Sequence, residues 1–178
     1  MCCVGLKCEM FEKQGFHGTS ADEAEGLLKT GFNIVEDEEL YLGNGAYFFI
    51  GGIGDPCQDA LDYVTNIKKE KNPVVVKADI SAEEECVLDL CSVDGANLFG
   101  KFKKRFYDKR GAEKGKMDDG KIINYLVGEM EFETKIVISS RCVKLKKEDA
   151  RTQIPNCIFC CVKNKDCISN EQLVTYGG

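Results

Sequence analysis

The chain has 178 residues, 43% hydrophobic and 30% charged, with a formal net charge of −6. This is the composition of one ordinary globular domain with a real core, so we expect a single domain over residues 1–178. It argues against a polycation that binds nucleic acid through its overall charge. No apolar run is long enough for a membrane-spanning helix, and the start "MCCVGLKCEM" lacks the basic-then-apolar pattern of a signal peptide. The expectation is therefore a cytoplasmic protein with no membrane partner.

The first element is a short strand over 14–19, "QGFHGT", which contains His17, the only histidine of the chain. A helix follows over "TSADEAEGLLKTGF". Ser20 is placed to cap it, Glu23 stands three residues on as its capping-box partner, and Gly31 ends it. An acidic loop, "NIVEDEEL", leads to "YLGNGAYFFIGG". There Gly43 and Gly45 bracket a turn and 46–50 form an apolar strand. "DPCQDALDYVTNIKKE" predicts a second helix, with Asp55 as its cap, Pro56 at its first position and Leu61, Val64 and Ile67 along one face. "PVVVKADI" and "ECVLDL" read as strands, 93–110 as a helix and "GAEKGKMDDG" as a loop. "DGKIINYLVGEM" reads as a short helix, and "TKIVISSRC" and "NCIFCCVKN" as closing strands. Strands and helices do not alternate regularly, so the expected class is α+β with a split antiparallel sheet flanked by helices.

Two compositional features need separate readings. Eleven cysteines are an odd number, so they cannot all pair within one chain. Cys157, Cys160, Cys161 and Cys167 contain a C-x-x-C but lack a second spaced pair or a nearby histidine. "CIFCCV" is better read as a buried strand of reduced thiols than as a zinc site, and no metal site is expected. The segment from Lys101 to Lys116 carries a local net of +6, leaving −12 for the remainder. Its interleaved Phe102, Phe106 and Tyr107 allow phosphate gripping with base stacking. They equally suit an amphipathic helix with a solvated basic face and buried rings, the reading we favour.

Two stretches in order carry the functional signal. "FHGTSADEAEGLLKTGF" is followed about 30 residues later by "YLGNGAYFF". This pair resembles the ADP-ribosyltransferase fold, in the branch of diphtheria toxin and the poly(ADP-ribose) polymerases, whose signature is His, Tyr and Glu on three strands. The resemblance covers residues 15–50 well and the remainder only by order of elements. It implies a single α+β domain that takes NAD as co-substrate and ADP-ribose donor. By match, His17 bonds the adenosine ribose 2′-hydroxyl. Gly18 offers its backbone to the nicotinamide carboxamide, and the Tyr47 ring stacks on nicotinamide. Thr19 and Gly45 complete the cofactor-binding set. The catalytic set is His17, Tyr47 and a glutamate.

That glutamate is the departure. The family places it at the start of a late strand, but "RTQIPNC" before "IFCCV" holds no carboxylate. Gln153 and Asn156 can bond a ribose without supplying charge. Glu131, with Glu133 beside it, precedes the other late strand and is the candidate for the third position. The implied activity is mono-ADP-ribosylation of a macromolecular acceptor, protein or nucleic acid. Small stand-alone domains of this kind resemble toxin or defence effectors, which brings a cognate antitoxin into view as a partner. Two alternatives stay open: a catalytically inactive module that binds NAD or ADP-ribose, and a Cys-His hydrolase built on His17 and one of the thiols. The 2′-phosphotransferase relatives that share the His-Gly-Thr strand use a second histidine, which this chain lacks.

Overall fold

Two eleven-residue strands form the longest pairing of the fold. β1 (Met10–Ser20) and β3 (Pro73–Glu83) pair antiparallel along their whole length, from Met10 opposite Glu83 to Ser20 opposite Pro73. The computed structural model describes residues 9–36, 40–110, 118–129, 133–146 and 153–175. Among them β2 is Ala46–Ile50, β4 Val87–Asp89, β5 Ile136–Arg141, β6 Cys157–Val162 and β7 Ile168–Leu173. All seven strands belong to one sheet in the order β4-β5-β6-β2-β1-β3-β7. Neighbours run antiparallel except β4 and β5. The exception follows from connectivity, since two helices carry the chain from β4 to β5 and a crossover returns a strand parallel. The class is therefore α+β, and the expected purely antiparallel sheet is corrected to a mixed one.

The four α-helices among the described residues are α1 (Ala21–Thr30), α2 (Pro56–Asp62), α3 (Val93–Arg110) and α4 (Asp119–Glu129). Period-two alternation divides the sheet's side chains between two cores. Phe48, Ile50, Val76 and Cys160 face one way and pack with Ala24 of α1. Phe49, Val75, Val137 and Cys161 face the other way and pack with Ala60 of α2 and with Ile123 and Leu126 of α4. Cys160 and Cys161 thus sit on opposite faces as small apolar residues. Burial pushes both thiols well above their ordinary range.

Local signals place several elements as read. Ser20 Oγ accepts the Glu23 amide at 3.3 Å, and Gly31, at φ 76°, closes α1. Asp55 Oδ1 accepts the amides of Cys57 and Gln58, with Pro56 at the first helical position. The second helix does not continue as expected. It widens into a π-helical turn over Tyr63–Lys68, ended by Lys69 in the left-handed region. Ile67, placed by spacing on the apolar face, is instead 45% exposed, because the wider winding rotates it outward. β7 was not visible as a strand: "ISNEQL" has one buried residue, as an edge strand permits. The predicted loop over 111–120 lies mostly outside the described residues.

The sheet is weakest at its middle. β1 and β2 pair only at Gly15–Ile50 and Phe16–Phe49. Beyond Phe16 the two strands part, and Val35 bridges to Gly45 in the place β1 vacates. A cavity of about 640 Å³ opens at this parting.

Candidate functional site

His17 stands where β1 leaves β2. Its Nδ1 lies 2.7 Å from the Tyr47 carbonyl oxygen. A carbonyl only accepts, so Nδ1 carries the proton and Nε2 keeps an unshared pair. Burial pushes the ring's pKa down to about 4, with Lys68 acting in the same direction. The Tyr47 carbonyl and Glu23 pull the other way and lose. At neutral pH the ring is therefore uncharged, one donor is committed, and one acceptor remains. Phe32 and Phe48 meet the ring edge-on at 5.3 and 5.9 Å between centroids and fix its plane.

Gly18 follows, and the ladder shows where its backbone points. Its partner across the pair is Val75, whose carbonyl accepts the Val174 amide at 2.9 Å, on the side away from β1. A strand residue sends its N–H and C=O to the same side, so Val75 and Gly18 form a non-hydrogen-bonded pair. Gly18 therefore turns its amide and carbonyl toward the opening. Continuing the β1–β2 register would bring it opposite Tyr47, but that pairing is not made. The glycine itself is demanded by packing: a Cβ there would lie 2.2 Å from the Ala60 carbonyl oxygen of α2. The missing side chain thus admits a helix.

Thr19 is 1% exposed, and its hydroxyl donates to a carboxylate oxygen of Glu23. Thr19 lines the cavity, but that donor is spent within the protein. Glu23 was read only as a capping residue. The amide half of that capping box is present, but its carboxylate goes to Thr19 and lines the cavity.

Tyr47 contributes its ring to the cavity wall beside Phe49, Tyr63 and Phe159. These rings interlock, with Phe49 and Phe159 4.6 Å apart and Phe49 and Tyr63 5.7 Å apart. The Tyr47 hydroxyl has a separate task. It accepts the Leu42 amide at 2.8 Å and donates to the Gly43 carbonyl at 2.7 Å. Burial raises its pKa far above that of a free phenol, so it stays a donor.

The turn it grips is held from two other parts of the chain. Asn124 of α4 accepts the Asn44 amide at 2.8 Å and donates to the Asn44 side chain at 3.1 Å. Lys163, after β6, donates to the Leu42 carbonyl and, at 2.6 Å, to the Asn44 carbonyl. Burial holds its ammonium below the ordinary lysine range. Gly43, at φ 73°, has no room for a side chain, since a Cβ would meet Asn124 Oδ1 at 2.0 Å. Gly45 lines the cavity, but its N–H donates to the Val35 carbonyl at 2.9 Å. Its backbone amide is therefore used by the protein.

The third position has a different outcome. Glu131 lies outside the described residues. On the last central strand, β6, the side chain that reaches the cavity is Phe159. Asn156 is committed elsewhere: its side chain donates to the Val143 carbonyl at 2.7 Å and accepts the Val143 amide at 2.8 Å. Gln153 and Glu133 are exposed and do not line the cavity. Glu23 is the one carboxylate among the described lining residues, and Lys68 the one cation.

No cysteine lines the cavity among the described residues. Among the described residues the Cys-His reading therefore lacks a thiol in the cavity that His17 lines. The basic segment takes the favoured form, a helix with a solvated basic face and buried rings. Phe106 and Tyr107 are 5% and 8% exposed and pack on Ile122 of α4. They cannot stack bases, whereas Lys101, Lys104, Arg105 and Lys109 face solvent.

Lys68 and Tyr63 were not singled out because helical periodicity separates them. Five residues along an α-helix are about 140° apart at about 100° per residue. The π-turn's i to i+5 winding brings both to the cavity.

No protein-family model matches this chain, and neither the curated proteins nor the solved structures compared with it include a match.

Proposed function

We propose that this chain has the ADP-ribosyltransferase fold and transfers one ADP-ribose from NAD to a macromolecular acceptor, releasing nicotinamide. The observation that carries the reading is the arrangement at the parted strands. His17 donates from Nδ1 to Tyr47 O, and Gly18 turns its amide and carbonyl into the same opening. An amide and a carbonyl on one residue match the carboxamide of nicotinamide. A neutral imidazole with a free Nε2 accepts from a ribose hydroxyl. The wall of Tyr47, Phe49, Tyr63 and Phe159 suits a flat ring.

In the reaction the bond between the nicotinamide nitrogen and ribose C1′ breaks. Its electron pair leaves with neutral nicotinamide, and C1′ becomes oxocarbenium-like. An acceptor heteroatom then bonds C1′ and gives up its proton. Aromatic faces favour such a cation.

A second reading is favoured by one observation: Phe159 occupies the cavity side of β6, where a catalytic carboxylate would help. On that reading the chain binds NAD or ADP-ribose without turning it over. Incubation with NAD labelled in its adenylate moiety, with and without cell lysate, separates the two. Label transferred to macromolecules, with stoichiometric nicotinamide release, supports the transferase. Binding without release supports the module. Absence of binding overturns both. Protease and nuclease treatment of labelled product identifies the acceptor class, and a toxin would arrest the growth of cells that express it without its antitoxin.

A further inference from the structure

The cavity wall is mostly aromatic, aliphatic and backbone, with Glu23 and Lys68 as the charged side chains among its described residues. They come from different elements, Glu23 from the first turn of α1 and Lys68 from the end of the π-turn. Both lie near enough to His17 to act on its charge, with opposite signs. Glu23 is tethered, since Thr19 Oγ1 donates to its Oε2 and leaves Oε1 unengaged by that bond.

We infer that these two charges fix how a dinucleotide lies in the cavity, with Lys68 holding the pyrophosphate and Glu23, tethered by Thr19, accepting from the adenosine ribose beside His17 Nε2. This assignment rests on the nucleotide reading of the site. A pyrophosphate is a compact dianion that offers only acceptors, and a lysine ammonium is a point cation with three donors. A ribose diol offers two hydroxyl donors. A carboxylate oxygen and an unprotonated imidazole nitrogen are two acceptors and suit that diol. The same pair opposes a phosphate on the 2′-oxygen, which would set acceptor against acceptor and anion against Glu23. The opposite assignment, in which Lys68 receives a 2′-phosphate, predicts the reverse preference.

The test is equilibrium titration at one ionic strength of the unmodified chain, Lys68→Met and Glu23→Gln. The ligands are adenosine, ADP-ribose, NAD and NADP. Both side chains are largely exposed, and Gln keeps an oxygen for Thr19, so unchanged thermal midpoints are expected. NAD should bind the unmodified chain at least about tenfold more tightly than NADP. Lys68→Met should weaken ADP-ribose about tenfold, the scale of one charge-assisted bond, while adenosine binding holds. Glu23→Gln should narrow the gap between NAD and NADP. Equal or tighter NADP binding, parallel loss of adenosine and ADP-ribose in Lys68→Met, or an unchanged ratio in Glu23→Gln each overturns the assignment while leaving NAD binding standing. If none of the four ligands binds, the nucleotide reading falls and takes this assignment with it.

Discussion

The ring of His17 spans the parted strands and donates from Nδ1 to the carbonyl of Tyr47, 30 residues later, at 2.7 Å. The bond replaces a missing rung of the β1–β2 ladder with a side chain. It fixes the tautomer and leaves Nε2 unprotonated on a residue that lines the cavity. Because the chain has a single histidine, ring nitrogen NMR reports it without ambiguity. The Nδ1-protonated neutral form should persist from pH 7 down to about pH 5. His17→Ala should leave β1–β3 paired, weaken NAD binding and abolish transfer, with a hydrogen-bond loss of about 0.5–1.5 kcal/mol in stability. A mutant that transfers at the original rate would remove His17 from the site.

Tyr47 has two tasks that substitution can separate. Stacking alone needs only the ring, which on the sequence reading makes Tyr47→Phe harmless and Tyr47→Ala inactive. The hydroxyl's bonds to Leu42 and Gly43 change that expectation. Tyr47→Phe leaves the buried Leu42 amide unpaired and the Gly43 carbonyl with only the long Cys161 Sγ contact at 3.8 Å, and should lower stability by about 1–3 kcal/mol. Hydrogen exchange at Leu42 should rise, and KM for NAD should rise more than kcat falls. An unchanged exchange rate would mean that Asn124 and Lys163 hold the turn without it.

Gly18→Ala tests packing rather than chemistry. The new methyl would meet a helix backbone oxygen, which cannot rotate away. Displacing α2 should cost about 1–3 kcal/mol, the usual range for overpacking, and more if the sheet follows. Denaturant unfolding measures it. A stable Gly18→Ala that no longer binds NAD would instead assign the glycine to ligand approach.

The sequence carries local chemistry well and distant partners poorly. Ser20, Gly31, Asp55 and Pro56 mark helix ends through groups one to four residues away, and each is where its chemistry predicts. The order of the His17 strand, the helix and the Tyr47 strand was legible. Their splitting was not, because it depends on Val35 taking the vacated edge. Lys163 grips a turn 119 residues earlier, and Asn124 one 80 residues earlier, and no spacing rule reaches so far. Lys68 is hidden by a change of helix type, and Glu23 by having an obvious second use as a capping residue. β7 is polar at most positions and so lacks the alternation that marks a half-buried strand.

Neutralising Lys103, Lys104 and Arg105 together tests the acceptor class. Lys103 pairs with Asp119 at 2.6 Å on a partly exposed surface, a contact that contributes at most about 1 kcal/mol. The buried rings of α3 stay in place, so the fold should survive. If the acceptor is nucleic acid held on this face, transfer should fall while NAD hydrolysis holds, and the salt dependence of acceptor binding should flatten. Since the aromatic residues of this segment are in the core, we expect transfer and hydrolysis both to be retained.

The pH dependence of stability sets His17 against Asp59. His17 has its pKa lowered from 6.5 to about 4. Below pH 6.5 the unfolded chain takes up this proton while the folded chain does not. Its contribution is present above pH 6.5 and is lost as pH falls toward 4, up to about 3 kcal/mol. Asp59 moves in the opposite sense. Burial, with Asp55 and Asp62 adding and Lys146 opposing, raises its pKa from 3.8 to about 6. Its Oδ2 is buried with no hydrogen-bond partner among the described residues. Between these values the folded state holds the proton and the unfolded state releases it. The contribution is present below pH 3.8 and is lost as pH rises through 6, about 1–2 kcal/mol after solvent screening. The two effects oppose each other between pH 4 and 6, so the unmodified chain should show a shallow profile there. Asp59→Asn should raise stability at pH 7 and steepen the loss on acidification. Adding His17→Gln to Asp59→Asn should flatten it again. Urea midpoints at pH 7, 5.5 and 4 for these variants decide it: a steep profile in the unmodified chain that Asp59→Asn leaves unchanged would show that Asp59 keeps an ordinary carboxyl pKa in the folded protein.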